Sequence, residues 1–312
     1  MGEPLLTVER LRVEYDDVTA VDDVSFTVES SMVYGLIGPN GAGKTSVIRA
    51  LAGLTDPSWG RVNIAGVDLL QEPQRALRHV GFMPDMPPLY EDLTVREFME
   101  LFASAYALEP SLRQRRINDL VEQVKLTGKL DSPAGSLSRG MRQRLFLAKT
   151  LLHDPDVLFL DEPASGLDPL ARLEFCQIMV ALGQMGTAVL VSSHILQEMA
   201  DFCNAVGIME KGRMVVSGRI DDILRRIRPG LHIRARLLAP DERACAFLDG
   251  RAGLRDVQVD GADVNVTLDG GMEDAHALLR AMVLADMKVA SFQIHEGDLQ
   301  DIFKQVSTGE VS

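Results

Sequence analysis

Residues 38–45 read Gly38-Pro39-Asn40-Gly41-Ala42-Gly43-Lys44-Thr45, and from Ser46 a helix-forming run extends to Leu54. The Gly-x-x-x-x-Gly-Lys-Ser/Thr spacing suits a loop that wraps a polyphosphate, because glycines let backbone N–H groups turn inward where side chains would obstruct them. A helix start adds the positive end of its dipole. Lys44 then supplies a point charge for the β- and γ-phosphates, and the Thr45 hydroxyl is the usual Mg²⁺ ligand of this pattern. Binding of a nucleoside triphosphate follows as the expected chemistry.

Two further clusters bear on it. Val157-Leu158-Phe159-Leu160-Asp161-Glu162 is an apolar strand ending in adjacent carboxylates. Asp161 is suited to orient Mg²⁺ through its water shell, and Glu162 to polarise an attacking water as general base. Leu137-Ser138-Arg139-Gly140-Met141-Arg142-Gln143 places a serine and a glycine at a helix start. That is either a second anion-binding geometry or an ordinary N-cap on an amphipathic helix.

These residues need elements to hold them. The phosphate loop follows the apolar run Val33–Ile37, and short apolar runs recur at 61–64, 80–83, 157–160, 188–192 and 206–209. Separated by helical or turn segments, they predict a mostly parallel α/β sheet. Before them, Leu11, Val13 and Tyr15, then Val24, Phe26 and Val28, alternate with polar residues and predict an antiparallel strand pair. Between about 84 and 153 the pattern is helical, starting with a capping box at Thr94 and Glu97, and predicts an inserted helical subdomain. The nucleotide-binding part is thereby expected over 1–218 and a charged, helix-like linker over 219–229. A β-α-β-β-α-β order over 230–296 suggests a small ferredoxin-like accessory domain, and 297–312 reads as an amphipathic helix and tail through Leu299, Ile302, Phe303 and Val306.

Taken together, the motifs resemble those of the ATP-binding subunit of ABC transporters. Gly38–Thr45 matches the Walker A loop, Leu137–Met141 an LSGGQ-like signature and Val157–Asp161 the Walker B strand. Glu162 falls at the catalytic glutamate, Ser165-Gly166-Leu167-Asp168 at the D-loop, and His194 at the switch histidine. Order and spacing match from residue 5 to about 218.

The resemblance implies an ABC-type P-loop fold that hydrolyses ATP with Mg²⁺. It implies a head-to-tail dimer with a second copy, in which Ser138, Arg139, Gly140 and Met141 of one protomer face the γ-phosphate held by Lys44 of the other. Tyr15 stands where the family stacks an aromatic on adenine, and His194 would hold the γ-phosphate, Glu162 and the water in line. Two departures stand out. Asp85 replaces the usual glutamine beside Mg²⁺ and adds a negative charge near Asp161 and Glu162, which implies altered Mg²⁺ dependence or slower hydrolysis. In the signature, Arg139 and Met141 replace the commoner Gly and Gln.

Composition narrows the partners. Hydrophobic residues make up 46% and charged residues 25% of the 312, as in ordinary globular proteins. The net charge of −13 argues against nucleic acid as a partner. The three cysteines, Cys176, Cys203 and Cys245, have no metal or redox spacing, so reduced thiols in the cytosol are expected. No apolar run of about 18 residues is present, so work at a membrane would need another chain to supply the span. The resemblance implies that this is a membrane-spanning permease on a separate chain, with the present chain cytoplasmic and peripheral on the inner membrane face. The C-terminal extension and the Ser-Arg-Gly-Met signature resemble those of exporters. The alternative is a soluble ABC-type ATPase acting on ribosomes or DNA. A ligand-sensing role for the accessory domain is compatible with the transporter reading.

Overall fold

The computed structural model describes residues 3–195, 199, 202–227 and 230–295, the side chains of 225–227 and 295 excepted. The chain divides into two compact units, one ending at Arg219 and one starting at Ile220. The expected tail helix and Pro229 lie outside the described residues.

In the first unit, β1 (Pro4–Tyr15) and β2 (Val18–Glu29) form the expected antiparallel pair, joined by β4 (Trp59–Ile64) and β5 (Val67–Asp68) in the order β2-β1-β4-β5. The run at 61–64 therefore belongs to the antiparallel sheet and not to the parallel one, a correction to its sequence reading. Short apolar runs look alike in either sheet. This one is decided by pairing with β1, where Val62 faces Val8.

Register shifts break the alternation of β1. Leu6 and Val8, then Leu11 and Val13, are fully buried, with the parity switched between Val8 and Leu11. A further shift between Val13 and Glu14 leaves Tyr15, expected on the covered face, 40% exposed.

The larger sheet contains β3 (Val33–Ile37), β6 (Val80–Met83), β7 (Val157–Leu160), β8 (Ala188–Ser193), β9 (Ala205–Glu210) and β10 (Arg213–Arg219). Its order is β10-β9-β3-β8-β7-β6, parallel from β9 to β6 with β10 antiparallel at the edge. Strands covered on both faces read as near-continuous apolar runs, and every residue of β3, β7 and β8 is buried, including Ser192 and Ser193 at the end of β8. Each aliphatic side chain so buried contributes about 1.5–3 kcal/mol.

Helix α1 (Lys44–Leu51) packs on β1 and β2 as well as on β7, and Val47, Ile48 and Leu51 join one core with both sheets. It starts two residues before the expected Ser46 and is closed by Gly53 at φ 68°. A short α2 (Pro73–Ala76) precedes β6. The inserted helices are α3 (Val95–Ala105), α4 (Pro110–Gln123) and α5 (Arg139–Thr150). Thr94 and Glu97 make the capping box at the start of α3. Helix α6 (Pro169–Gln184) leads from the loop after β7 toward β8.

The second unit opens with α7 (Ile220–Ile227). It continues β11 (Leu231–Leu237), α8 (Arg243–Asp249), β12 (Leu254–Asp260), β13 (Asp263–Leu268), α9 (Met272–Leu284) and β14 (Val289–His295). Its antiparallel sheet runs β12-β13-β11-β14 and shares its core with Ala244, Leu248, Ala275, Leu278 and Met282 of the two helices. This is the ferredoxin-like arrangement expected from the sequence. Among the described residues no helix is long and apolar enough to cross a membrane.

Candidate active site

The chain leaves β3 and reaches α1 through Gly43, the N-cap residue, at φ 100°. A Cβ there would stand 2.5 Å from the Ala20 carbonyl oxygen, and one on Gly38 would stand 2.3 Å from that of Met209. Glycine is thus required at both positions by the close approach of neighbouring backbone. Gly43 has no side chain to cap the start of α1, and among the described residues no side chain accepts its first N–H groups, an arrangement suited to an anion.

Lys44 is only 5% exposed. Its Nζ donates to the carbonyls of Gly38 at 2.7 Å and Pro39 at 3.2 Å, and lies 3.8 Å from Glu162 Oε1. Burial lowers its pKa, opposed by the nearby carboxylates of Glu162 and Asp161. A desolvated cation held largely by neutral carbonyls retains charge for an incoming phosphate.

At the end of β7 the two carboxylates part. Asp161, 5% exposed, accepts at one oxygen, Oδ1, from Ser192 Oγ at 2.6 Å and from Thr45 Oγ1 at 3.2 Å. Glu162 has left-handed backbone, φ 49°, and its N–H donates to Ser192 Oγ at 2.9 Å. Its carboxylate accepts from His194 Nδ1 at 2.7 Å. Strained backbone of this kind, in a residue with a side chain, is concentrated at functional sites.

A cleft of about 730 Å³ gathers Tyr15, Asn40, Gly41, Ala42, Gly43, Lys44, Thr45, Ser46, Asp85, Glu162, Ser165 and His194. Gly38 and Pro39 act from beneath it through Lys44, and Asp161 through Thr45. Among the described residues, those lining the cleft do not include Ser138, Arg139, Gly140, Met141 or Asp168. Ser138 caps α5 by accepting from the Met141 N–H, and Asp168 caps α6 by accepting from Leu170 and Ala171. The Arg139 guanidinium lies against Gly166 of the D-loop stretch.

Sequence reasoning missed Val18, Thr19, Ala20, Lys211 and Gly212, which also line the cleft. It missed the two hydrogen bonds of Ser192 as well, one donated to Asp161 and one accepted from the Glu162 N–H. The available signal for Ser192 was a pair of serines ending an apolar strand just before His194.

The donor set suits Mg²⁺. Among the described residues no group of three or more His, Cys, Asp or Glu side chains forms a metal cage. Mg²⁺ needs none, since it takes one or two protein oxygens and completes its shell with phosphate and water. Thr45 and Asp161, already in contact, offer such oxygens.

A family model described as ABC transporter matches residues 21–165. The chain is 37% identical over 221 residues to the Nod factor export ATP-binding protein I of Ralstonia nicotianae (strain ATCC BAA-1114 / GMI1000), covering 71% of this chain and 69% of that protein. It is 35% identical over 222 residues to the probable multidrug ABC transporter ATP-binding protein YbhF of Escherichia coli (strain K12), covering 71% of this chain but 38% of that relative's length. A solved structure described as the ATP binding subunit of an ABC transporter superposes with a TM-score of 0.64 at 35% identity, over 71% of this chain and 92% of that one. The cbiO1 structure from Clostridium perfringens, at 23% identity and a TM-score of 0.65, covers 72% of this chain and 95% of that one and shares the fold.

Proposed function

Because this chain belongs to the ABC transporter family as an ATP-binding subunit, we propose that it hydrolyses ATP between two copies of itself to drive a separate membrane-spanning permease. The observation that carries this reading is the convergence of Lys44, Thr45, Asp85, Glu162 and His194 on one cleft at the uncapped start of α1.

The triphosphate would lie along the loop N–H groups with Lys44 exchanging its carbonyl contacts for phosphate oxygens. Thr45 and Asp161 would hold Mg²⁺, which when bound neutralises phosphate charge. Glu162 would accept the proton of a water whose oxygen attacks the γ-phosphorus, as the bond to the leaving ADP oxygen breaks. His194 steadies that carboxylate. Tyr15, half exposed at the rim, is available to stack on the base.

The signature residues complete the pocket only from a second protomer. Their separation from the cleft within one chain supports that reading, as does the exposure of Ser138 and Arg139. The relatives' names, a probable multidrug transporter and a Nod factor exporter, favour export as the direction. The relatives' naming as ATP-binding proteins of transport and export favours a cytoplasmic, peripheral location on the permease.

The test is Glu162→Gln in the full chain. Turnover should fall by about 10²–10⁴ while ATP binding survives, and size exclusion with ATP should show a trapped dimer. Full activity of the variant would remove Glu162 from this role, and a wild-type chain that neither binds nor splits MgATP would sink the proposal.

A further inference from the structure

Ser192 ends an all-apolar stretch of β8 and has none of its surface exposed. A hydroxyl in that position must find partners or cost stability. Its hydroxyl donates to Asp161 Oδ1 at 2.6 Å and accepts from the Glu162 N–H at 2.9 Å. Two neighbouring residues with different tasks are thus tied to one atom.

Each bond answers a separate need. Asp161 is a buried carboxylate, for which a short charge-assisted bond is among the stronger available. Glu162 is held at φ 49°, a conformation that persists in a residue with a side chain only where the surroundings over-determine it. Thr45 reaches the same Oδ1 at the longer distance of 3.2 Å. If that hydroxyl turns to a ligand, the Ser192 bond still holds Asp161. His194, on the same segment, grips the other end of Glu162 at its carboxylate. The adjacent Ser193 engages the local backbone instead, accepting the Ile195 N–H at 3.0 Å.

We propose that Ser192 is a positioning residue for the phosphate chemistry, setting the mutual orientation of the Mg²⁺-directed carboxylate of Asp161 and the backbone of Glu162. This rests on the nucleotide-hydrolysing reading of the cleft. Ser192 acts through these two residues and makes no contact with the reacting atoms.

The experiment compares Ser192→Ala and Ser192→Thr with wild type in the full chain. Steady-state MgATP hydrolysis is read beside the affinity for a fluorescent ATP analogue, measured once with Mg²⁺ and once with EDTA. Ser192→Ala should lower kcat by about 10- to 100-fold and weaken binding in Mg²⁺, leaving affinity in EDTA within about twofold. Ser192→Thr, which keeps the hydroxyl, should recover most of the loss. Wild-type kcat and Mg²⁺ response in Ser192→Ala would overturn the proposal. So would equal losses in both variants, or equal loss of affinity with and without Mg²⁺, since these assign the effect to strand packing. A wild-type chain without MgATP hydrolysis would count against the function itself, whereas an active wild type matched by Ser192→Ala would count against Ser192 alone.

Discussion

Two helix starts in the first unit carry motifs for phosphate, and they are finished differently. At α1 the N-cap is a glycine, no side chain among the described residues accepts the first N–H groups, and a buried lysine rests on carbonyls. At α5 the N-cap is Ser138, whose hydroxyl already accepts the Met141 N–H. The first arrangement leaves donors with no side-chain acceptor, so an anion gains their full bonding. The second is satisfied by its own residues, so an anion arriving there must compete with an existing bond. One site should bind nucleotide in a single protomer, and the other should matter only when a second protomer brings a phosphate already held elsewhere.

This contrast breaks if both starts behave alike. Lys44→Ala should remove charge-assisted bonds together worth about 3 kcal/mol, a loss of roughly 10²-fold in ATP affinity. Isothermal titration of the isolated chain measures it. Ser138→Ala, at a site remote from the cleft, should leave that affinity within about twofold while lowering hydrolysis roughly tenfold or more through the lost donor. Equal loss of binding in the two variants would erase the distinction drawn here.

Smaller effects sharpen it. Tyr15→Ala should weaken nucleotide binding by about 1 kcal/mol, roughly fivefold, at the low end for base stacking because the ring is half exposed. The loss should be the same for ATP and ADP, which share the base, and a loss confined to ATP would place Tyr15 at the phosphates. Asp85→Gln takes one negative charge from the cleft, and we expect it to shift the Mg²⁺ titration of hydrolysis by a few-fold, the scale of an exposed charge pair. Superimposable titration curves would remove Asp85 from the metal's surroundings.

Much of the site was legible because its signals are local. Gly38–Thr45 declares a loop by the glycines its backbone needs, Val157–Leu160 declares a buried strand by unbroken apolarity, and Thr94 with Glu97 declares a helix start by reciprocal bonds. Each depends on residues within a few positions of one another. The β-α-β-β-α-β order of the second unit was readable on the same terms.

What the tertiary structure alone decided are relations between segments distant in the chain. The run at 61–64 could pair with either sheet until β1 claimed it. Alternation put Tyr15 on the covered face of β1, and its exposure at the cleft rim accompanies a register shift that alternation does not announce. Ser192 became the joint between Asp161 and Glu162 because β7 and β8 are neighbours, although about 30 positions of chain lie between them. Hydrogen bonds across such separations leave no periodic trace in sequence. They exist once parallel strands are aligned in one register and a buried hydroxyl must find its partners.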